Sequence, residues 1–363
     1  ISASQLEKFN LCRFSYFCNY GLNVRERQKA EINPMQYGTI VHYILERFFG
    51  EYTKEEYLSL EEDKFQKIVC AYLAEYAVKY FGEEQLESNS FTYRLKTILD
   101  NVMYLMKHIM EELSQSEFFV ADCELKIGED IPSYTIVLPD GHKIAVCGSV
   151  DRVDIMQRAD ITYLRIIDYK TGTKQFKLSD ILYGINLQML LYLHSIEASG
   201  GDKYGEIVPA GILYMPATVP YISSDSLKSI DKLPDELNKK LKMNGLLLKD
   251  TEIIHGMDKT DVATYIPVKI KAGEPVSSTS LATLAEFGKI FKKVDMLIAE
   301  MGKNIYNGNI EAKPLKGGHD SCEYCPYDSV CAYRQSNPIT CFSVDNKTVI
   351  EEITNEINGK EEE

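Results

Sequence analysis

The chain has 363 residues, of which 45% are hydrophobic and 26% charged, and its formal net charge is −14. This acidic balance excludes broad, non-specific coating of nucleic acid but leaves a local contact with DNA open. No apolar run approaches the roughly 18 residues of a membrane span, and no signal peptide opens the chain. We therefore expect a cytoplasmic protein that has no membrane partner. The absence of a starting methionine favours a piece of a longer protein.

Hydrophobic periodicity and turn residues predict an α/β fold. Helices are expected over residues 2–11, 36–50, 61–81, 92–115, 179–197 and 279–304, and strands over 118–127, 135–138, 143–156, 162–168 and 210–214. Strands that follow one another between helical stretches indicate a mixed central sheet flanked by helices. The helices ahead of the first strand are interpreted as a helical insertion.

The chain divides into six predicted segments. They are an N-terminal segment (1–35), a helical region (36–117), a sheet core (118–220), an irregular Lys-rich segment with a long helix (221–310), a Cys-rich segment (311–345) and an acidic, solvated tail (346–363). The tail assignment rests on six acidic residues against one lysine in residues 351–363.

Two aspartates at the ends of neighbouring predicted strands form the main candidate site. Asp151 ends one strand, and Asp168 follows near the end of the next, with Lys170 two residues later. Alternation along a strand puts Asp168 and Lys170 on one face and Tyr169 on the other. Converging carboxylates suit Mg²⁺ or Mn²⁺, and a lysine beside them can orient a water and stabilise charge on a phosphate. A surface hairpin carrying a Lys–Asp pair is the alternative.

Four further residues are candidates for the same site. His42 on an upstream helix offers a nitrogen ligand, although a helical histidine is more often structural. Gln188 and Tyr192 are four residues apart and share a helix face, where a core tyrosine beside an incidental glutamine is the competing interpretation. Glu124 on the first strand is a weaker candidate for the acidic cluster, and we leave it out of the predicted site.

Nine cysteines without a secretory signal indicate a reducing compartment, where clustered cysteines ligate metals more often than they form disulfides. Cys322, Cys325 and Cys331 form a C-x2-C-x5-C pattern that needs a fourth ligand for zinc or an iron–sulfur cluster. Cys12 is the preferred fourth ligand, with Cys18 and Cys341 as rivals. The cluster would then close a loop of roughly 310 residues.

Two lysine runs stand out in this acidic chain. Lys174 and Lys177 follow Lys170 without an intervening acid, and we expect them to contact DNA. The run from Lys239 to Lys249 is interpreted as a solvated face.

These motifs resemble a known family. His42, Gly148-Ser149-Val150-Asp151, Ile167-Asp168-Tyr169-Lys170 and Gln188-x3-Tyr192 are similar to the successive motifs of RecB-type nucleases of the PD-(D/E)xK superfamily. The flanking cysteines resemble its variant with a [4Fe–4S] staple. The N-terminal segment and Leu241-Lys242-Met243-Asn244-Gly245-Leu246-Leu247 look like those of AddB-type nuclease domains.

The resemblance implies a PD-(D/E)xK nuclease core, an iron–sulfur-stapled terminus and DNA exonuclease activity. It further implies that Asp151, Asp168, His42 and the Tyr169 carbonyl bind Mg²⁺ or Mn²⁺, and that Lys170 activates water. Gln188 and Tyr192 would hold the strand or support the lysine.

The expected substrate is the 5′-terminated strand of unwound DNA, delivered by an AddA-type helicase–nuclease partner. A catalytically silent, cluster-stapled module that binds DNA or a partner is the alternative function.

Overall fold

The fold is that of a computed structural model that describes residues 1–25, 34–82, 87–172, 174–220, 233–277, 279–331, 333 and 338–361. Twelve α-helices are described. They are α1 (Ala3–Leu11), α2 (Arg13–Tyr16), α3 (Pro34–Glu51), α4 (Lys54–Leu58), α5 (Glu62–Phe81), α6 (Asn89–Ser114), α7 (Gln188–Ser199), α8 (Gly201–Tyr204), α9 (Leu233–Leu241), α10 (Thr251–Met257), α11 (Leu284–Tyr306) and α12 (Asn346–Glu361). None of these helices combines the length and apolar character that crossing a membrane requires.

Within the described residues, six strands form the central sheet, in the order β1-β4-β5-β6-β7-β10. The strands are β1 (Phe119–Ile127), β2 (Thr135–Val137), β3 (Lys143–Ala145), β4 (Gly148–Arg158), β5 (Ile161–Lys170), β6 (Glu206–Pro216), β7 (Asn244–Leu248), β8 (Lys269–Lys271), β9 (Glu274–Val276), β10 (Leu281–Ala282), β11 (Leu315–Gly317) and β12 (Ile339–Cys341). Pairing is antiparallel from β1 through β5, parallel between β5 and β6, and antiparallel between β6 and β7. The predicted mixed sheet is therefore confirmed.

Local sequence explains where helices α1 and α11 begin. Ser2 and Gln5 form a reciprocal capping box at the start of α1, and Thr283 and Glu286 form another at α11. Each box satisfies backbone N–H groups that the first helical turn leaves without partners.

Helices cover the sheet and fix the position of the site. Helix α3 contacts β1 and β5, and α5 and α6 pack against α3. Helix α7 contacts β6, β5 and β1, and its outer side meets α11. Most buried apolar side chains belong to one continuous core, so the helices ahead of β1 share the core of the sheet.

The segment expected to be irregular contributes a strand to the sheet. Residues 221–232 lie outside the described part of the chain, but β7 pairs with β6 and β10. A Cβ on Gly245 would lie 2.0 Å from the carbonyl oxygen of Ile212, so this close approach of β7 to β6 requires glycine. The strand was missed because its short apolar run shows no alternation.

The prediction of a solvated acidic tail is wrong for residues 346–361. They form α12, in which Val349, Ile353 and Ile357 are buried. Glu356 pairs with Lys293 of α11 at 2.6 Å. Three apolar residues spaced by four make one helix face, a signal that the abundance of glutamate concealed.

Two other predicted elements also differ from those observed. The expected helix over 179–197 is a 3₁₀-helix, Leu178–Tyr183, followed by α7. Gly184, in the left-handed conformation, separates the two. The expected strand over 143–156 is divided into β3 and β4.

Candidate active site

A row of polar side chains crosses five neighbouring strands of the central sheet. The pairing registers put Glu124 of β1 beside Asp151 of β4, and Asp151 beside Asp168 of β5. The row continues through Tyr214 of β6, which pairs with Asp168, to Asn244 of β7. Residues opposite one another on adjacent strands share a face, so three carboxylates meet on one surface.

The two aspartates lie where the β4–β5 ladder opens. Arg152 and Ile167 form the last backbone pair, and Asp151 and Asp168 come directly after it. The backbone N–H of Tyr169 donates a hydrogen bond of 2.9 Å to Asp151 Oδ2. This bond fixes the carboxylate of Asp151 near the beginning of β4, so the prediction that Asp151 ends its strand is wrong.

Helix α3 brings His42 to this row. His42 Nδ1 lies 3.0 Å from Glu124 Oε1, and His42 Nε2 lies 3.6 Å from Asp151 Oδ2. One ligand atom from each of His42, Glu124 and Asp151 can be chosen so that all lie within 4.8 Å of one another. Ser149 Oγ donates to the other oxygen of Glu124 at 3.0 Å.

Glu124, which the sequence prediction left out, belongs to this row of side chains. Its φ of +50° departs from strand geometry and is a strained conformation for a glutamate. The sequence hides this role because Asp122, Glu124 and Lys126 alternate with less polar residues, as on any solvated strand face. Only the contact with His42, which lies 82 residues away, reveals it.

Asp168 and Lys170 form an ion pair on the same sheet face, as alternation predicted. Asp168 is only 3% exposed, and its Oδ2, although close to the ammonium, has no hydrogen bond of good geometry within the described residues. The ring of Tyr214 lies beneath two ammonium groups, with its centroid 5.7 Å from Lys170 Nζ and 5.1 Å from Lys174 Nζ.

The carboxylates repel one another and are poorly hydrated. Burial, followed by the charge of Asp168, raises the pKa of Asp151 to about 7. Burial opposes the charged form of His42, but the hydrogen bond with Glu124 and the charge of Asp151 raise its pKa overall. Burial also opposes the charged form of Glu124, but the hydrogen bond with His42 and the charge of His42 outweigh it and lower the pKa of Glu124. A cation among these groups would relieve the repulsion.

Tyr192 supports the strand that carries Asp151. A Cβ on Gly148, the first residue of β4, would lie 2.2 Å from the Tyr192 hydroxyl, so glycine is required there. Gln188 begins α7, and its backbone N–H donates to Glu7 Oε1 at 3.3 Å. In the described part of the chain no hydrogen bond joins the Gln188 side chain to Lys170.

The site opens into a cleft of about 690 Å³. Its lining includes His42, Glu124, Lys170 and Lys174. Lys177 is exposed outside this lining, so only one of the two lysines expected to contact DNA faces the cleft.

The cysteines from the two ends of the chain lie near one another. Burial raises the pKa of the Cys12 thiol, and the nearby thiols of Cys331 and Cys325 raise it further. The backbone N–H groups of Ser15 and Phe14 act in the opposite direction and lower the pKa of this thiol. Such N–H donors favour a thiolate, the form that ligates metals.

The remaining cysteines differ in their surroundings. Cys322 and Cys325 belong to one turn, in which the backbone N–H of Cys325 donates to the carbonyl oxygen of Cys322 at 3.2 Å. Cys18 is buried. Burial raises the pKa of its thiol, and the nearby thiols of Cys325 and Cys331 raise it further. Cys341 packs in a small apolar cluster with Ile185.

A divalent cation fits the residues beside the cleft, although Asp151 and Asp168 do not themselves line it. His42 and Asp151 offer unlike donor atoms at one point, and a buried oxygen of Asp168 lacks a directed hydrogen bond within the described chain. Carboxylates on adjacent strands of a mixed sheet, beside a lysine, are an arrangement suited to the metal-assisted hydrolysis that metal-dependent nucleases perform.

Comparison with known proteins narrows this class to a family. The sequence profile of the PD-(D/E)XK nuclease superfamily matches residues 1–332. The chain therefore belongs to the PD-(D/E)XK nuclease superfamily, as its motifs predicted. Nucleases of this superfamily use divalent metals.

Several curated relatives share a name that makes each of them the B subunit of an ATP-dependent helicase/deoxyribonuclease. The protein from Thermoanaerobacter sp. (strain X514) is 35% identical over 92% of this chain and 30% of its own length. That from Alkaliphilus oremlandii is 33% identical over 98% of this chain and 32% of its own length. That from Clostridium kluyveri is 34% identical over all of this chain and 32% of its own length. The chain thus spans about a third of these relatives.

Proposed function

We propose that this chain is the DNA-cutting domain of a bacterial helicase–nuclease that processes double-strand breaks in the cytoplasm. Its reaction would be hydrolysis of phosphodiester bonds in single-stranded DNA, from the 5′-terminated strand. The row of Glu124, Asp151 and Asp168 beside Lys170 carries the chemistry of this proposal. The name shared by its relatives supports the biological setting.

His42, Asp151 and Asp168 would hold Mg²⁺ or Mn²⁺, with the Tyr169 carbonyl as a further contact. Such an ion supplies a lowered pKa for a water and neutralises charge on the scissile phosphate. Glu124 would orient the ring of His42, because it contacts Nδ1 and leaves Nε2 toward Asp151.

Lys170 would place its ammonium against the attacked phosphate and the attacking water. The ion pair with Asp168 and the ring of Tyr214 limit the positions that this ammonium can take. Tyr192 would keep β4 in place, and Gln188, at the start of α7, would contact the DNA strand. Lys174 would meet a phosphate at the mouth of the cleft.

The cysteines would hold a [4Fe–4S] cluster that links the two ends of the domain. Cys12, Cys322, Cys325 and Cys331 are the proposed ligands. The N–H groups directed at the Cys12 sulfur favour Cys12 over Cys18, and the apolar packing of Cys341 disfavours that third candidate. A partner helicase, AddA-type by the resemblance, would deliver the strand.

The test is degradation of single-stranded DNA by anaerobically purified protein with Mg²⁺ or Mn²⁺. Wild type should cut, and Asp168→Ala and Lys170→Ala should be inactive while retaining their iron content and brown absorption. Lys143→Ala, which replaces an exposed lysine on β3, should cut like wild type. A phosphorothioate block at the 5′ end should stop digestion, whereas a 3′ block should not.

Two results would count against the proposal. Equal activity of wild type and Lys170→Ala would exclude this site, and wild type that neither binds nor cuts DNA would favour a silent scaffold. For the cluster, Cys12→Ser should lose iron and Cys341→Ser should retain it. If only Cys18→Ser lost iron, Cys18 rather than Cys12 would be the fourth ligand.

A further inference from the structure

Three tyrosines form one wall of the catalytic cleft. Tyr43 follows the metal-site residue His42 on α3, and Tyr76 and Tyr80 lie four residues apart on α5. All three line the same cleft of about 690 Å³ as His42 and Lys170. We call Tyr43, Tyr76 and Tyr80 the tyrosine wall.

The rings of the tyrosine wall contact one another in series. The centroids of Tyr43 and Tyr76 are 5.2 Å apart, and those of Tyr76 and Tyr80 are 4.4 Å apart with an interplanar angle of 33°. Tyr76 is 4% exposed, whereas Tyr80 is 55% exposed. The series therefore begins with the residue that follows His42 on α3 and ends with an aromatic ring open to solvent.

Helix packing explains only part of this wall. The buried ring of Tyr76 fills the contact between α3 and α5, and the Tyr43 hydroxyl donates to Glu75 at 2.7 Å. Tyr80 contributes one ring contact, with Tyr76, and leaves 55% of its surface exposed. Its ring lies under the ammonium of the exposed Lys79, at 5.2 Å. A large exposed ring next to a catalytic cleft is a surface that suits an aromatic ligand.

Cations come into the same cleft from the sheet. Lys126 extends from β1, Lys170 ends β5 and Lys174 follows it in the next loop. The cleft thus combines aromatic rings from two helices with ammonium groups from strands and a loop. A single-stranded nucleic acid has the matching pair of features, flat bases and a charged backbone, and base stacking on aromatic residues is tolerant of sequence.

We propose that Tyr80, backed by the buried ring of Tyr76, is the platform on which the tyrosine wall stacks an unpaired base of the DNA strand, while Lys126 and Lys174 contact the DNA backbone. A base in a duplex stacks on its neighbours and cannot occupy this surface, so the tyrosine wall would select single strands. The inference rests on the proposed nuclease function and adds to it a subsite that recognises bases.

Binding of a fluorescent oligothymidylate in Ca²⁺, measured by anisotropy, tests this proposal. The same strand with abasic sugars at successive positions from its 5′ end provides the comparison. Tyr80→Ala should weaken binding of the intact strand about 10-fold, and Tyr80→Trp should restore it. On the strand whose abasic position lies at the platform, Tyr80→Ala should cause no further loss, because the stacking base is already missing.

Tyr93→Ala is the matched control, since Tyr93 is 72% exposed on α6 and does not line the cleft. It should bind both strands like wild type. Equal weakening of intact and abasic strands by Tyr80→Ala, or no weakening of either, would overturn the base-stacking role. Failure of wild type to bind or cut any single strand would instead reject the proposed function, so the two failures are distinguishable.

Discussion

Strands β4 and β5 carry a charged cluster on each face, and the two clusters differ in balance. On one face, two arginines meet two acids, and all four side chains are 0% exposed. Arg152 Nη2 lies 2.7 Å from Asp154 Oδ2, and Arg165 Nη2 lies 2.6 Å from Glu112 Oε1. The formal charges cancel. Arg165 Nη1 is the one nitrogen of this cluster without a hydrogen bond among the described residues.

The other face carries three acids against weaker compensation. Glu124, Asp151 and Asp168 lie side by side, with Lys170 and the titratable ring of His42 as their cationic partners. Asp151 and Arg152 follow one another in sequence but belong to different clusters, because adjacent residues of a strand point to opposite faces of the sheet. The balanced cluster needs no ligand, whereas the unbalanced one gains from a cation. Charge balance, rather than burial, therefore distinguishes the first face from the one that we propose as the metal site.

The largest expected effect is that of Asp151→Asn, which should lower activity and raise stability. Removing this charge should lower DNA cleavage on the order of 1000-fold, because a metal ligand is lost. The metal-free protein should become more stable at pH 8, because repulsion with Asp168 is removed. Cleavage rates and urea denaturation measure the two effects. A variant that lost both activity and stability would show that Asp151 is structural.

Arg152→Met should destabilise the protein by about 3–5 kcal/mol in urea denaturation, because it leaves buried carboxylates without their cation. Arg158→Met on the same strand is the matched control. Arg158 is exposed in its pairs with Glu117 and Glu252, so its loss should cost at most about 1 kcal/mol. Similar losses in the two variants would contradict the distinction drawn for the balanced cluster.

Stability without metal should fall as the pH rises from about 4 to 7. The folded pKa of Asp151, about 7, exceeds its ordinary value of 3.8, so proton binding favours the folded protein. That contribution is complete below the ordinary value and lost as the pH passes through the folded one. The difference corresponds to at most about 4 kcal/mol. Urea denaturation across this range measures it, and saturating Mn²⁺ should flatten the curve. An unchanged slope with Mn²⁺ would argue against a metal at Asp151.

Glu124→Ala should weaken Mn²⁺ binding about 10- to 100-fold by releasing the ring of His42. Glu124→Gln, which keeps a hydrogen-bonding oxygen beside His42, should retain more of the affinity. Titration calorimetry separates the two variants. If Glu124→Ala bound Mn²⁺ as tightly as wild type, the contact with His42 would have no part in metal binding.

The smallest expected effect is that of Tyr214→Phe. The Tyr214 hydroxyl is buried without a hydrogen bond among the described residues, so its removal should leave stability unchanged or raise it by about 1 kcal/mol. The ring beneath Lys170 remains, so cleavage should change little. A large loss of activity in Tyr214→Phe would assign the hydroxyl a direct role in the reaction.

Sequence alone predicts the elements whose signal is local. Alternation brought Asp168 and Lys170 to one face, and neighbouring strands brought Asp151 beside them. Sequence does not single out Glu124, because its contact with His42 depends on how α3 packs on β1. The tyrosine wall was missed for the same reason, as its rings come from two helices. Strand β7 lacks a period, and the acidic residues of α12 hide its apolar face.

The most direct test of the account is titration of metal-free protein with Mn²⁺, followed by electron paramagnetic resonance. Wild type should bind Mn²⁺ at this face, and Asp151→Asn should lose that binding while Arg158→Met keeps it. Equal binding by wild type and Asp151→Asn, or none by wild type, would contradict the claim that the unbalanced face is the metal site.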